Sequence, residues 1–323
     1  MRRSAPAKSS NHSIKRNHEN GNFRYFRRLK AGADKCILAA RPYLEKIALF
    51  STNFSAAYAN QYDALAVEVL ASSSEDFGAG AGYTHPTNTI KPATIALDKH
   101  RKSTFTIGDK DAITNELAPC WEKFGPKSGE AVGKYAIQQV LGLLTYSDRT
   151  GTITQATYAS LADFTAIMAK VTDAGLDPWQ CNLVLVPTAY AALLAVLPAY
   201  VKGDNAAINY ADVGEFLGFK SVIMSPNASV VSAATPASNG FGFVVPEGAI
   251  GVADRVIPPV MDGGNLIEFG TFTDDLTGFG FGTRVVVDAD QGTCSWSVDC
   301  LFGCALTKQT STGAPGYYQL ITA

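Results

Sequence analysis

The hydrophobic positions change period several times along the 323 residues, and each change marks an element. The densest apolar stretch, Cys181 to Pro226, predicts a strand–helix–loop–strand unit. Leu183 to Val186 is short and continuous enough for a buried strand. Pro187 ends it and Thr188 is placed to cap a helix. Tyr190, Leu193, Leu194 and Leu197 then follow at helical spacing until Pro198. Phe216 to Met224, broken by Gly218, predicts the second strand.

Upstream, Ala31 to Phe50 reads as a helix whose register Pro42 disturbs. Asp63 to Leu70 alternates as a strand, and Ala93 to Ile107 is a second extended stretch. Residues 71–92 between them carry neither period. Loops of this length are rare in compact domains unless they are functional or disordered. A two-stranded ribbon with a long tip cannot bury itself, so it is a candidate for packing on a neighbouring subunit.

Asp109 to Tyr146 is mainly helical, with Gly125-Pro126 predicting a kink or two successive helices. Leu161 to Ala174 is another helix, closed by Gly175. After Pro226 the chain turns extended: strands are predicted at Phe241–Val245, Ala249–Ile257, Leu266–Phe272 and Thr283–Val287. A Gly-Phe-Gly-Phe-Gly turn separates the last two. Cys294, Trp296, Val298, Cys300, Phe302, Cys304 and Leu306 then share one face of a long strand by strict alternation.

Charge divides the chain. Of 27 basic and 29 acidic groups, the first 30 residues hold nine basic (Arg2, Arg3, Lys8, Lys15, Arg16, Arg24, Arg27, Arg28, Lys30) and one acidic, Glu19. A basic arm therefore precedes an acidic body. Phe23, Tyr25 and Phe26 beside the arginines suit phosphate neutralisation with some stacking, and protein contact is the rival reading. The body's own charge does not make it a nucleic-acid surface. With only 17% charged residues, much of its surface is expected to lie under other subunits.

No apolar stretch follows the basic start, so no secretory signal is expected, although the Arg- and Ser-rich composition leaves an organelle transit peptide open. Leu183 to Val201 carries no charge over 19 residues. Two internal prolines and a strand-like start argue against a membrane helix.

The chemistry-bearing motifs dissolve on inspection. Gly78, Gly80 and Gly82 are followed by turn residues rather than a helix N-terminus, so they make no phosphate cradle. On a strand Cys300 and Cys304 stand about 13 Å apart, too far to share one zinc ion. Asp288 and Asp290 imitate the strand-end acid pair of haloacid dehalogenases, but Gln291 is inserted and a strand follows. Glu75-Asp76 and Asp274-Asp275 read as loop acids. The sequence therefore assigns no catalytic, cofactor or metal residue, and an enzyme with a dispersed site stays open.

The order of elements resembles the tailed-bacteriophage major capsid protein, the Hong Kong 97-like fold related to encapsulins. The phrases that carry the resemblance are A-G-L-D-P-W-Q-C-N-L-V-L-V-P-T-A-Y-A-A-L (174–193), G-F-K-S-V-I-M-S-P-N (218–227) and P-E-G-A-I-G-V-A-D (246–254). It implies an α+β chain of an N-terminal arm (1–30), N-terminal helix (31–60) and extended loop (61–108). A spine-helix peripheral domain (109–150 and 255–323) and an α/β apical domain (151–254) complete it. The loop tip, Phe77, Gly78, Gly80, Gly82, Tyr83 and His85, would touch a neighbour.

Further, the resemblance implies a non-enzymatic virion protein without cofactors, assembled in the host cytoplasm. Its pentamers and hexamers would build an icosahedral shell around double-stranded DNA. Scaffold, portal and decoration proteins are the possible partners, with no membrane. The alternatives are an encapsulin-like cargo compartment, a DNA-binding protein with a basic arm, and the dispersed-site enzyme.

Overall fold

A computed structural model describes residues 32–49, 51–53, 65–70, 90–108, 117–145, 149–200, 218–225, 240–258, 266–288, 290–306 and 316–322. The first element, helix α1, spans 32–49, and its buried face is Cys36, Ala40, Leu44 and Ile47 at helical spacing. That face holds the helix through Pro42, so the proline costs one backbone bond without ending the element.

Two larger sheets and a ribbon follow. Strands β1 (Ser51–Asn53), β4 (Lys99–Gly108), β9 (Ile250–Arg255), β10 (Leu266–Thr273), β11 (Gly280–Asp288) and β12 (Thr293–Leu306) form a six-stranded sheet. Strands β5 (Gly151–Gln155), β6 (Cys181–Leu185), β7 (Ser221–Met224), β8 (Gly240–Pro246) and β13 (Tyr318–Thr322) form a five-stranded sheet in the order β5-β13-β8-β6-β7. Strands β2 (Leu65–Leu70) and β3 (Ile90–Ile95) pair antiparallel as the ribbon. The extended stretch expected from Ala93 to Ile107 is thus two strands, separated at 96–98.

The central unit folds as its pattern dictates, with one change at the turn. Strand β6 is buried along its whole length, and Pro187 opens helix α4 (Pro187–Tyr200) instead of merely stopping the strand. Proline's fixed φ suits the first helical position, where no partner for its missing N–H is needed. Tyr190 N–H then donates to the Val186 carbonyl, 2.9 Å, as the first helical bond. The second strand is shorter than expected, because Gly218 at φ +77° turns the chain before Ser221.

Helix α3 (Leu161–Asp173) is closed at both ends by its own sequence. Ser160 and Asp163 cap the N-terminus reciprocally. At the other end Gly175 N–H donates to Thr172 O and Leu176 N–H to Val171 O, with Gly175 at φ +79°.

Long strand β12 organises the six-stranded sheet. Its 293–299 segment pairs with β11, its 301–306 segment with β9, and β4 runs antiparallel along the opposite edge from Phe302 to Thr293. Trp296, Val298, Cys300 and Phe302 are buried on the expected face. Leu301 and Gly303, on the other face, are buried as well, since Ile95, Leu97 and Ala253 pack over them. Strand β11 starts at Gly280, inside the glycine-rich stretch expected to be a turn. There Gly282 lies against the Asp299 carboxylate, 2.7 Å from where a Cβ would stand, so glycine serves close packing inside a strand.

Candidate assembly surfaces

Helix α2 (Leu117–Leu141) runs as one element through Gly125-Pro126, so of the two outcomes expected there, a kink or two successive helices, the second does not occur. The reason lies on α1. Gly125, Gly129 and Gly133 recur every four residues and face Gly32, Cys36 and Ala40, which recur with the same spacing. A Cβ at Gly125 would stand 2.6 Å from the Gly32 carbonyl oxygen, and one at Gly129 would overlap that of Cys36. The two backbones therefore touch, and their packing outweighs the proline's local preference. Phe124 stacks on Phe105 of β4, ring centroids 4.7 Å apart, which fastens the helix to the sheet.

A turn beside α1 carries a partly buried ion pair. Asp274 is buried, and its Oδ1 accepts from Arg41 Nε at 3.0 Å and Nη2 at 2.7 Å. Its Oδ2 accepts from Thr277 N and Oγ1, while Asn53 Nδ2 donates to the Thr277 carbonyl. The hydrogen bonds and charge of Asp274 hold the Arg41 guanidinium above its ordinary value. Sequence reasoning placed Asp274 in a loop with nothing to explain. The structure gives it a job: it locks the β10–β11 turn to α1.

A second cluster lies on the Leu301 face of the six-stranded sheet. Asp299 Oδ2 accepts from Arg284 Nη2 at 3.2 Å and shares a hydrogen bond with His100 Nε2 at 3.2 Å. Arg284 Nη2 also donates to the Ile257 carbonyl. Next to it, β4 begins with Lys99-His100-Arg101-Lys102. Lys99 pairs with Asp98 at 2.9 Å, and the Arg101 guanidinium lies 4.7 Å from the centre of the Tyr135 ring. The run is plain in the sequence, but only the pairing of β4 puts it on a sheet edge.

The ribbon is anchored only at its base among the described residues. Its ladder pairs Leu65 with Ile95 and ends at Leu70 with Ile90. Ile95 and Leu97 join a small cluster with Ala253 and Leu301. Gly303 makes this possible, since any side chain there would overlap the Ala96 carbonyl oxygen. The expected tip residues, Phe77, Gly78, Gly80, Gly82, Tyr83 and His85, and the nine basic arm residues lie outside the described residues.

The cysteines show core chemistry. Burial pushes the thiols of Cys36 and Cys181 up to about 12, that of Cys304 to about 11, and that of Cys300 well above its ordinary value. Such thiols stay protonated at neutral pH and are poor nucleophiles or ligands. Among the described residues no three His, Cys, Asp or Glu side chains converge for a metal ion. Asp288 Oδ1 accepts from Asp290 N and Gln291 N, the polar turn that the inserted glutamine implied. Among the described residues no helix is long and apolar enough to cross a membrane. A groove of about 500 Å³ beside exposed Trp179 is lined by Met168, Leu176 and Pro178, and its one carboxylate, Asp177, already accepts from Trp179 N–H.

No family model matches the chain, and no curated protein matches it. Solved structures do. A chain from the head of Helicobacter pylori bacteriophage KHP40 superposes with a TM-score of 0.53 at 11% identity, covering 84% of this chain and 86% of that one. A capsid chain of cyanophage P-SCSP1u matches at 0.49, 16%, 85% and 86%, and one from Mycobacterium phage Che8 at 0.48, 12%, 80% and 84%. At these identities the likeness speaks for the backbone alone. The chain has the α+β fold of the KHP40 head chain, compatible with the Hong Kong 97-like architecture that the order of elements implied.

Proposed function

We propose that this chain is a structural, non-enzymatic major capsid protein that assembles into an icosahedral shell around double-stranded DNA. The observation that carries the reading is the shared fold with the KHP40 head chain over most of both chains. A second feature supports it: a two-stranded ribbon, fixed at one end, has too little surface of its own to be stable in isolation. In the assembly the five-stranded unit is the apical domain, around the centre of a pentamer or hexamer. The six-stranded sheet with α2 is the peripheral domain. The ribbon tip lies over a neighbouring subunit, and arm residues 1–30 contact neighbours or packaged DNA.

Size-exclusion chromatography with electron microscopy of the purified chain tests this. Shells or capsomers are expected, and a small monomer at every salt concentration would overturn the reading. Nuclease-protected DNA inside shells recovered from infected cells separates a virion from an encapsulin-like compartment. Deleting residues 1–30 should weaken assembly or DNA retention; if both are unchanged, the arm has no such role.

A further inference from the structure

The basic arm joins α1 at its first turn, and that helix carries a strip suited to hold it. Asp34, Leu38, Arg41 and Glu45 recur every three or four residues, so they share one side of α1, away from buried Cys36, Ala40 and Ile47. The ion pair of Arg41 with Asp274 brings the β10–β11 turn against this side, adding Asp275 and Leu276. Leu38 and Leu276 are large apolar side chains left 58% and 66% exposed. Asp34, Glu45 and Asp275 are exposed as well, while Arg41 is already engaged by Asp274. The Asp274 hydrogen bond and charge raise the Arg41 guanidinium most, and Glu45 and Asp275 add to them, so both carboxylates lie close to it. Lys35 and Lys46 stand about a quarter-turn round the helix.

Residues 23–28, Phe-Arg-Tyr-Phe-Arg-Arg, have the opposite character: three aromatics and three arginines with no acid. Only residues 29–31 separate them from α1. An extended chain spans at most about 3.5 Å per residue, so Arg28 and Phe23 reach at most about 14 and 31 Å from Gly32. Along α1, at about 1.5 Å per residue, Leu38 and Glu45 lie about 9 and 20 Å from Gly32. The segment is therefore long enough to lie back on its own chain's strip. A tether this short gives an effective concentration on the order of 1 mM, so a contact with a Kd of about 0.1 mM is made about ten times more often than not.

We infer that the strip of Leu38, Glu45, Asp275 and Leu276 docks residues 23–28 of the same chain. The arginines meet the carboxylates, and the rings cover the two leucines. Residues 1–22, with five of the nine arm bases, remain available to neighbours or DNA. This contact belongs to the single chain and does not depend on the capsid reading.

Trypsin digestion of the unassembled full-length chain at low salt tests it, with the cleavage sites followed by mass. Glu45→Gln with Asp275→Asn should speed cleavage after Arg24, Arg27 and Arg28 by up to about tenfold, and leave that after Lys15 and Arg16 unchanged. Leu38→Ser with Leu276→Ser should do the same. All four positions are exposed, and thermal melts check that the variants fold like the parent. Added salt should speed the same sites in the parent and hardly change them in the charge variant. If both variants are cut like the parent, or if only one differs, the inference is wrong. Protection that fades on dilution would give the segment to a second copy, and protection found only with DNA would give it to phosphates; either outcome overturns it. Absence of shells would overturn the capsid reading instead, because this cleavage is read on single chains.

Discussion

In the five-stranded sheet the buried polar groups are neutral: Asn182 donates to the Leu49 carbonyl and accepts from Ser221, and Gln319 lies fully inside. The six-stranded sheet and its turn bury charge. Asp254, Asp274 and Asp299 are all enclosed there, two of them beside Arg41 and Arg284. Neutral amides cost less to bury than carboxylates, which need several donors each. The five-stranded unit is therefore held by packing. The six-stranded unit fixes its β10–β11 turn to α1 by charge, and α1 meets α2 by close backbone approach.

The largest effect should come from the backbone seam that ties α1 to α2. Gly129→Val places a branched side chain where even a Cβ overlaps the Cys36 carbonyl. Overpacking of this kind costs about 3 kcal/mol or more, and chemical denaturation should show the chain largely unfolded or aggregated. A Gly129→Val chain as stable as the parent would contradict the seam.

Breaking the charged turn comes next. Asp274→Ala strips Arg41 and Thr277 of their acceptor and should lower unfolding stability by about 3 kcal/mol, since a buried charged hydrogen-bond network is lost. Asn182→Ala, the neutral counterpart, should cost less, about 2 kcal/mol, by leaving the Leu49 carbonyl and Ser221 hydroxyl unpaired. If the two losses are equal, the contrast between the sheets does not hold.

The smallest effect is at α3. Ser160→Ala removes the N-cap and should cost about 1 kcal/mol. The Asp163 carboxylate is pushed up by desolvation, but hydrogen bonds from Ser160, Thr157 and Gln155 outweigh this and bring it down to about 2. Because its folded value is depressed, its contribution is present above the ordinary carboxylate range and fades as pH falls toward about 2. Melting curves between neutral pH and pH 2 should lose that component in Asp163→Asn.

How much of this could be read from the sequence follows from the range of each interaction. Strand β6 and the alternation of β12 depend on neighbouring positions, and both are plain from composition and period. The first ribbon strand was legible too, but its partner β3 takes Ile90 to Pro92 from the stretch expected to be loop, and the tip and the arm lie outside the described residues. The glycine seam was not legible, because α2's partners lie about 90 residues away on α1 and Gly-Pro alone signals a break. Asp274 looked like a loop acid because nothing near it in sequence reveals Arg41. Within the candidate site, the basic run of β4 was visible as letters, but its position on an open edge emerged only from the strand order.

A three-dimensional reconstruction of the particles formed by the purified full-length chain tests the central claim most directly. It should show closed shells with the five-stranded unit around each capsomer axis and the ribbon lying on the adjacent subunit. Discrete monomers, or shells in which every ribbon packs on its own subunit, would contradict it.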